Sequence, residues 1–281
     1  MFSALNPRGN NTSKRTEKQK TMKKLLFAFS LCTMLVSVAF SQDDAYYTGD
    51  EATVTEKAQE APPALPTYTQ PPCPEDGYIW TPGYWAWGGA GYYWVPGVWI
   101  APPSAGLLWT PGYWGFYHNY YGWHPGYWGE HVGYYGGINY GFGYYGSGFY
   151  GGRWEGGHFR YNTAVWHVNN RVIHNVYESR EGVHEGNVHI SFNGPGGVRY
   201  RPAGEEEHVM HENHVAATHE QVMHHEAAGR DHGQFAHTNN GQPAYHSMNR
   251  TGGQHYDSRA HVVHAAPSHA GGEHGGGHGK R

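Results

Sequence analysis

The sequence predicts a mainly β protein, an antiparallel meander of aromatic repeats flanked by segments of low complexity. Three observations predict it. The phrase W-x-P-G-x-W occurs four times, as WTPGYW (80–85), WVPGVW (94–99), WTPGYW (109–114) and WHPGYW (123–128). The phrases recur every 14 or 15 residues, a spacing that fits short strands joined by tight reversals. The chain holds 23 Tyr and 11 Trp, with hydrophobic residues at only 38%, so any core must be aromatic rather than aliphatic.

Taken in order, the chain begins with 41 residues that read as a leader. Lys23-Lys24 form a basic region, LLFAFSLCTMLV (25–36) an apolar run, and Ala39-Phe40-Ser41 a small-x-small cleavage site before Gln42. Residues 1–21 fit no signal, which places the true start of synthesis at Met22; a retained anchor helix is the alternative. Cys32 would leave with the signal, so Cys73 stays alone and no intramolecular disulfide forms. Of 19 Lys and Arg, seven precede residue 42 and 12 remain; of 23 Asp and Glu, one precedes it and 22 remain. That acidic balance argues against nucleic acid or anionic lipid as the main partner. No transmembrane span is expected in the mature chain.

Residues 42–76 are acidic, Pro-rich and without apolar period, and read as a disordered linker. The repeat domain and its Gly/Tyr tract occupy 77–160, ending in WEGGHF (154–159), a degraded copy of the phrase. In the tract, alternating Gly141, Gly143, Gly146 and Gly148 suit either a strand with glycine on one face or a flexible spacer. Short β-branched runs mark a β extension over 161–204. From Glu205 the chain holds 15 of its 23 histidines and reads as a tail, helical over about 205–228 and disordered beyond.

Two geometries compete for the repeats. Pro-Gly can occupy a type II turn, making each phrase a small hairpin, but that turn has the wrong twist for a two-residue hairpin loop. Alternatively Pro-Gly lies mid-strand as a bulge, and the chain reverses near 88–91, 100–107 and 115–122. One bulged residue then brings two tryptophans five apart onto one face. This second geometry is the expectation. It aligns every phrase with its neighbours and lays two rows across one four-stranded sheet. Trp80, Trp99, Trp109 and Trp128 form one row; Trp85, Trp94, Trp114 and Trp123 form the other. Each Pro then meets a neighbouring Gly along one bend line.

The Trp phrases, followed by HVGYYGGINYGFGYYGSGFYGG, YNTAVWHV, IHNVY and SFNGPGG, resemble the WXXGXW (also written YXWGXW) repeat proteins over roughly 77–197. That resemblance implies an extracytoplasmic protein of a Gram-negative bacterium, periplasmic, extracellular or outer-membrane associated. It brings no catalytic or binding residues with it, and the His-rich tail lies outside it.

The function expected is structural or interaction-type, in the cell envelope, with an unknown partner or glycan. Flat tryptophan faces could stack on sugars or cations, but the reading favoured is that they form the core. The tail offers a rival, a periplasmic protein that binds Zn, Ni or Cu weakly through His208, His211, His214, His219, His224 and His225, several of them three or four apart on the expected helix. The zincin spacing is absent: HENH is one residue short and HEQVMH one too long. No cofactor is required by anything in the sequence. No nucleophile elbow, phosphate loop or dinucleotide fingerprint appears, so the chain is not expected to be an enzyme.

Overall fold

In the computed structural model, residues 50–183 and 189–256 are described. The predicted leader, residues 42–49 and the tail beyond residue 256 lie outside them. The molecule is mainly β, with short strands, as the repeat spacing predicts.

Strand β1 is Glu56–Ala58. The first two phrases give β2 (Ile79–Thr81), β3 (Tyr84–Gly88), β4 (Gly91–Val95) and β5 (Gly97–Ile100); the last two give β6 (Leu108–Thr110), β7 (Tyr113–Tyr117), β8 (Tyr120–His124) and β9 (Tyr127–Gly129). Each pair of phrases is one long hairpin, broken into an outer and an inner half by its Pro-Gly dipeptides. In the first, β2 pairs with β5 (Trp80 opposite Trp99) and β3 with β4 (Trp85 opposite Trp94). In the second, β6 pairs with β9 (Trp109 opposite Trp128) and β7 with β8 (Trp114 opposite Trp123). Reversal at Pro-Gly, which would pair Trp80 with Trp85, does not occur.

The expected continuous four-stranded sheet does not form either. No pairing joins Trp99 to Trp109 or Trp94 to Trp114; the two hairpins are separate. Nor is there a one-sided bulge. Register is identical on both sides of each interruption, because Pro82 faces Gly97 and Gly83 faces Pro96, and likewise in the second hairpin. Both strands lose pairing together at a shared bend, since proline has no N–H to donate.

The glycine of each phrase has a different task from the turn residue first considered. None of Gly83, Gly97, Gly112 and Gly126 has positive φ. Instead, the benzo edge of the first tryptophan in the facing phrase lies against its α-carbon. A Cβ on Gly97 would come 2.5 Å from Trp80 Cζ2, on Gly112 2.5 Å from Trp123 Cζ2, and on Gly126 2.5 Å from Trp109 Cζ2; Gly83 meets Trp94 in the same way. Only hydrogen fits there. The facing indoles then meet in four equivalent pairs, with ring centroids 5.2–5.4 Å apart and planes inclined by 50–69°, the offset and edge-on geometries that aromatic quadrupoles prefer.

The second tryptophan of each phrase works as a tether. Trp85 Nε1 donates to Ala64 O, Trp99 Nε1 to Pro71 O, Trp128 Nε1 to Gln221 Oε1, and Trp114 Nε1 to Trp85 O at 2.8 Å, which joins the hairpins. These bonds hold the segments that wrap the repeats.

Those segments correct two expectations. Residues 50–76 are not a loose linker: β1 pairs with β8, Ala58, Leu65 and Cys73 are buried, and Cys73 N–H donates to His167 O. Composition misled here because Pro-rich extended chain can be fixed by tryptophan donors without any apolar period of its own. Residues 205–256 are likewise not an appendage. The expected single helix over 205–228 is two, α1 (Glu205–Val209) and α2 (His219–Arg230), the second capped by Thr218 and Gln221 in a reciprocal box. Between them Val215 exchanges backbone bonds with Trp128. α3 is Ala236–Asn239.

The Gly/Tyr tract forms the small hairpin of β10 (Asn139–Gly141) and β11 (Tyr144–Tyr145), with Gly141, Gly143, Gly146 and Gly148 all at positive φ. It is neither an alternating strand nor a spacer: Tyr135, Tyr140 and Tyr144 are buried, and Tyr144 Oη donates to Trp80 O. Over the β extension, β12 (Gly152–Glu155), β13 (His158–Asn162) and β14 (Val176–Tyr177) form one sheet, and β15 (Phe192–Asn193) joins β7 in parallel. β16 (Ser247–Met248) adds in parallel to β5 and carries β17 (His255–Tyr256).

Candidate functional site

The bend line is where the backbone is least satisfied by its own ladder, and other parts of the chain come to it. Gly83 N–H donates to Tyr68 Oη, Gly97 N–H to His246 O, and Tyr140 Oη donates to Gly112 O. From α2, His224 Nε2–H donates to Pro96 O at 2.8 Å. Beside Gly112, Tyr140 and His224 lies a cavity of about 230 Å³, lined also by all four repeat prolines, Pro82, Pro96, Pro111 and Pro125. That is roughly the volume of seven or eight waters at ~30 Å³ each.

Aromatic rings complete the wall: Trp109 and Trp123 from the second hairpin, Tyr84 from the first, and Tyr140 from the tract. Tyr84 stacks on Trp123 with centroids 5.0 Å apart and planes 14° apart. Six of the eight repeat tryptophans are at most 1% exposed, whereas Trp109 and Trp123 keep 8% and 7%. The two that line the cavity are thus the two least enclosed. An exposed tryptophan platform for glycans, one expectation above, is overturned by this burial.

The polar groups of the cavity come from β1 and α2. Glu56 is half-buried, and burial raises its carboxyl pKa despite a long 3.4 Å bond from Trp87 N–H. Among the described residues no cation pairs with it. His225 sits between two phenols, Nδ1 to Tyr84 Oη and Nε2 to Tyr93 Oη, each 2.9 Å. Burial lowers the pKa of both His224 and His225, so both rings are neutral near pH 7. Gln221 spends its Oε1 on Trp128 and on the Thr218 N–H.

The six histidines expected to chelate metal are not gathered. His224 and His225 are committed to the bonds just described. His214 stacks on Tyr127, ring centroids 3.6 Å apart, and pairs with Val209 O. His208, His211 and His219 are exposed, with His208 Nε2 4.0 Å from a Glu212 carboxylate that His131 already holds at 3.0 Å. No group of three or more His, Cys, Asp or Glu fit to hold a metal occurs among the described residues. The helical spacing behind that expectation fails because the chain leaves helix between Val209 and His219. Cys73 is buried, its thiol pushed up to about 12 chiefly by burial, which makes it unreactive.

Comparison with known families matches the WXXGXW repeat, in two copies, at residues 76–99. The chain carries WXXGXW repeats. The match covers the first hairpin, and the same pairing geometry extends the repeat through Trp128. No curated protein and no solved structure matches the chain. Among the described residues, no helix is long and apolar enough to cross a membrane.

Sequence reasoning placed the repeat tryptophans and the meeting of each Pro with a Gly. It missed Glu56, Tyr140 and Gln221. Glu56 lay hidden in a segment read as linker, and its one available signal was the short EKA run that becomes β1.

Proposed function

We propose that this WXXGXW repeat protein is an exported envelope protein of interaction type, a binding module without catalysis. In this reading the aromatic repeats are the scaffold and the cavity at the Pro-Gly bend line is the place of binding. The observation that carries it is the convergence of all four repeat prolines on one aromatic-lined cavity, a concave and mostly apolar site with few polar groups, as ligand sites commonly are. Export is supported by the basic, apolar and small-x-small succession before Gln42.

Two measurements on protein from its own host test this. N-terminal sequencing of the envelope fraction should start at or near Gln42; an intact Met1 or Met22 in a soluble cytoplasmic pool overturns the location. Native mass spectrometry should show a bound small molecule at one per chain; a uniformly bare chain counts against the binding module.

A further inference from the structure

We propose that the cavity binds a small organic cation, an alkylammonium group, with Glu56 as its counter-charge and the surrounding rings as its walls. The proposal rests on the binding-module reading and names the ligand class.

Its first support is the charge inventory. Glu56 is the one acidic residue lining the cavity; Lys and Arg are absent from the lining, and of the two histidines, whose pKa burial lowers, His224 spends one ring nitrogen and His225 both on protein partners. A carboxylate placed where burial disfavours its charged form, without a protein cation, is a cost that a bound cation would relieve. Lys57, next along β1, is directed elsewhere: its Nζ lies 4.4 Å from the ring centre of Tyr120.

The second support is the wall. Trp109, Trp123 and Tyr140 stand with four prolines around about 230 Å³, space for a trimethylammonium head with a short tail, while Tyr84 is stacked against both Trp123 and His225. Aromatic faces attract cations through their quadrupole, most strongly when desolvated. The rival classes fit less well. An anion would meet Glu56 and no basic side chain. A metal ion would find a single carboxylate with no second charged ligand. A sugar would need many donors and acceptors, and most of those here are already bonded within the fold.

The test uses the full mature chain, titrated calorimetrically and by tryptophan fluorescence with tetramethylammonium and with choline. Dimethylbutanol, the uncharged carbon analogue of choline, serves as the control. Saturable binding of the cations is expected, with the analogue weaker by about tenfold or more. Glu56→Gln should weaken cation binding by about tenfold or more, while Glu56→Asp, which keeps the charge, recovers part of it. Thermal melting of each variant confirms that it folds. Equal binding of choline and its uncharged analogue overturns the cation proposal and leaves the binding module standing. So does a folded Glu56→Gln chain that binds cations as well as the parent. If neither cation binds, the proposal fails; the native mass spectrum then decides whether a ligand of another class occupies the cavity.

Discussion

WTPGYW and WEGGHF share the spacing of their aromatic ends, yet one bends and the other turns. In the second, Trp154 pairs directly with Phe159 and Glu155 with His158, and the chain reverses at Gly156 and Gly157, both at positive φ. That is the backbone a two-residue hairpin of mirror type requires. Proline cannot take positive φ. With Pro in the first central position, that mirror-type turn cannot form, and the strand runs on through a bend to pair with the next phrase. The glycine then serves opposite needs: at Gly157 it supplies φ of +81° with open space around it, while at Gly97 it supplies room for Trp80 at an ordinary φ. The proline ring at the first central residue separates an aromatic seam from a closed hairpin.

Both draw in distant chain, the turn through Trp154 Nε1 to Leu107 O and the seam through residues beyond Gly204, and the seam's share sets the largest expected effect. Ending the chain at Gly204 removes β16 from β5, His246 O from Trp94 Nε1 and Gly97 N–H, and His224 from Pro96 O. Cooperative unfolding followed by tryptophan fluorescence should be lost or fall by well over 10 °C, since several buried groups lose partners at once. Unchanged melting would make residues 205–256 an accessory after all.

Next in size is Trp99→Ala, expected to cost about 3–5 kcal/mol, because a fully buried ring leaves a cavity and orphans Pro71 O. Trp154→Ala, at a half-buried site of the true hairpin, should cost clearly less. Equal losses in denaturant titrations would mean that the seam has no special packing.

The two glycines separate space from strain. Gly97→Ala should destabilise by about 1–3 kcal/mol or more through overpacking against Trp80. Gly157→Ala should cost about 1–2 kcal/mol from its left-handed backbone alone, and a D-alanine there should be tolerated. L-alanine tolerated at residue 97 would show that room does not select that glycine.

Acid should weaken the seam more than the turn. Burial lowers the pKa of His224 and His225 from about 6.5, so the unfolded chain binds protons that the folded one refuses. Their contribution is complete above about pH 6.5 and is lost as pH falls from there through their lower folded values. Glu56 and Glu206 act with the opposite sign, since burial raises both. Melting temperature should therefore drop below pH 6.5 in the parent and drop less in His224→Gln, which keeps a donor for Pro96 O but does not titrate there.

The smallest effect expected is that of metal. Adding Zn²⁺ or Ni²⁺ should leave the melting temperature within about 1 °C of the metal-free value, since no group of three or more ligands is gathered among the described residues. A rise of several degrees that His208→Ala with His211→Ala removes would place a site among the described histidines instead.

The sequence by itself determined the repeat unit, the facing of Trp80 with Trp99 and of Trp109 with Trp128, and the meeting of each proline with a glycine. These are local matters of parity and spacing, set by backbone geometry within about twenty residues. Only the tertiary structure decided that the hairpins would part rather than form one sheet, because the bend breaks both ladders and other strands take some of the free edges. In the first hairpin β16 takes that of β5, and in the second β1 and β15 take those of β8 and β7. It also decided that an acidic, Pro-rich stretch would be threaded through the core and carry Glu56 to the cavity. No periodicity announces such a path, since the bonds that fix it run from tryptophan N–H groups to bare backbone carbonyls, which every residue possesses.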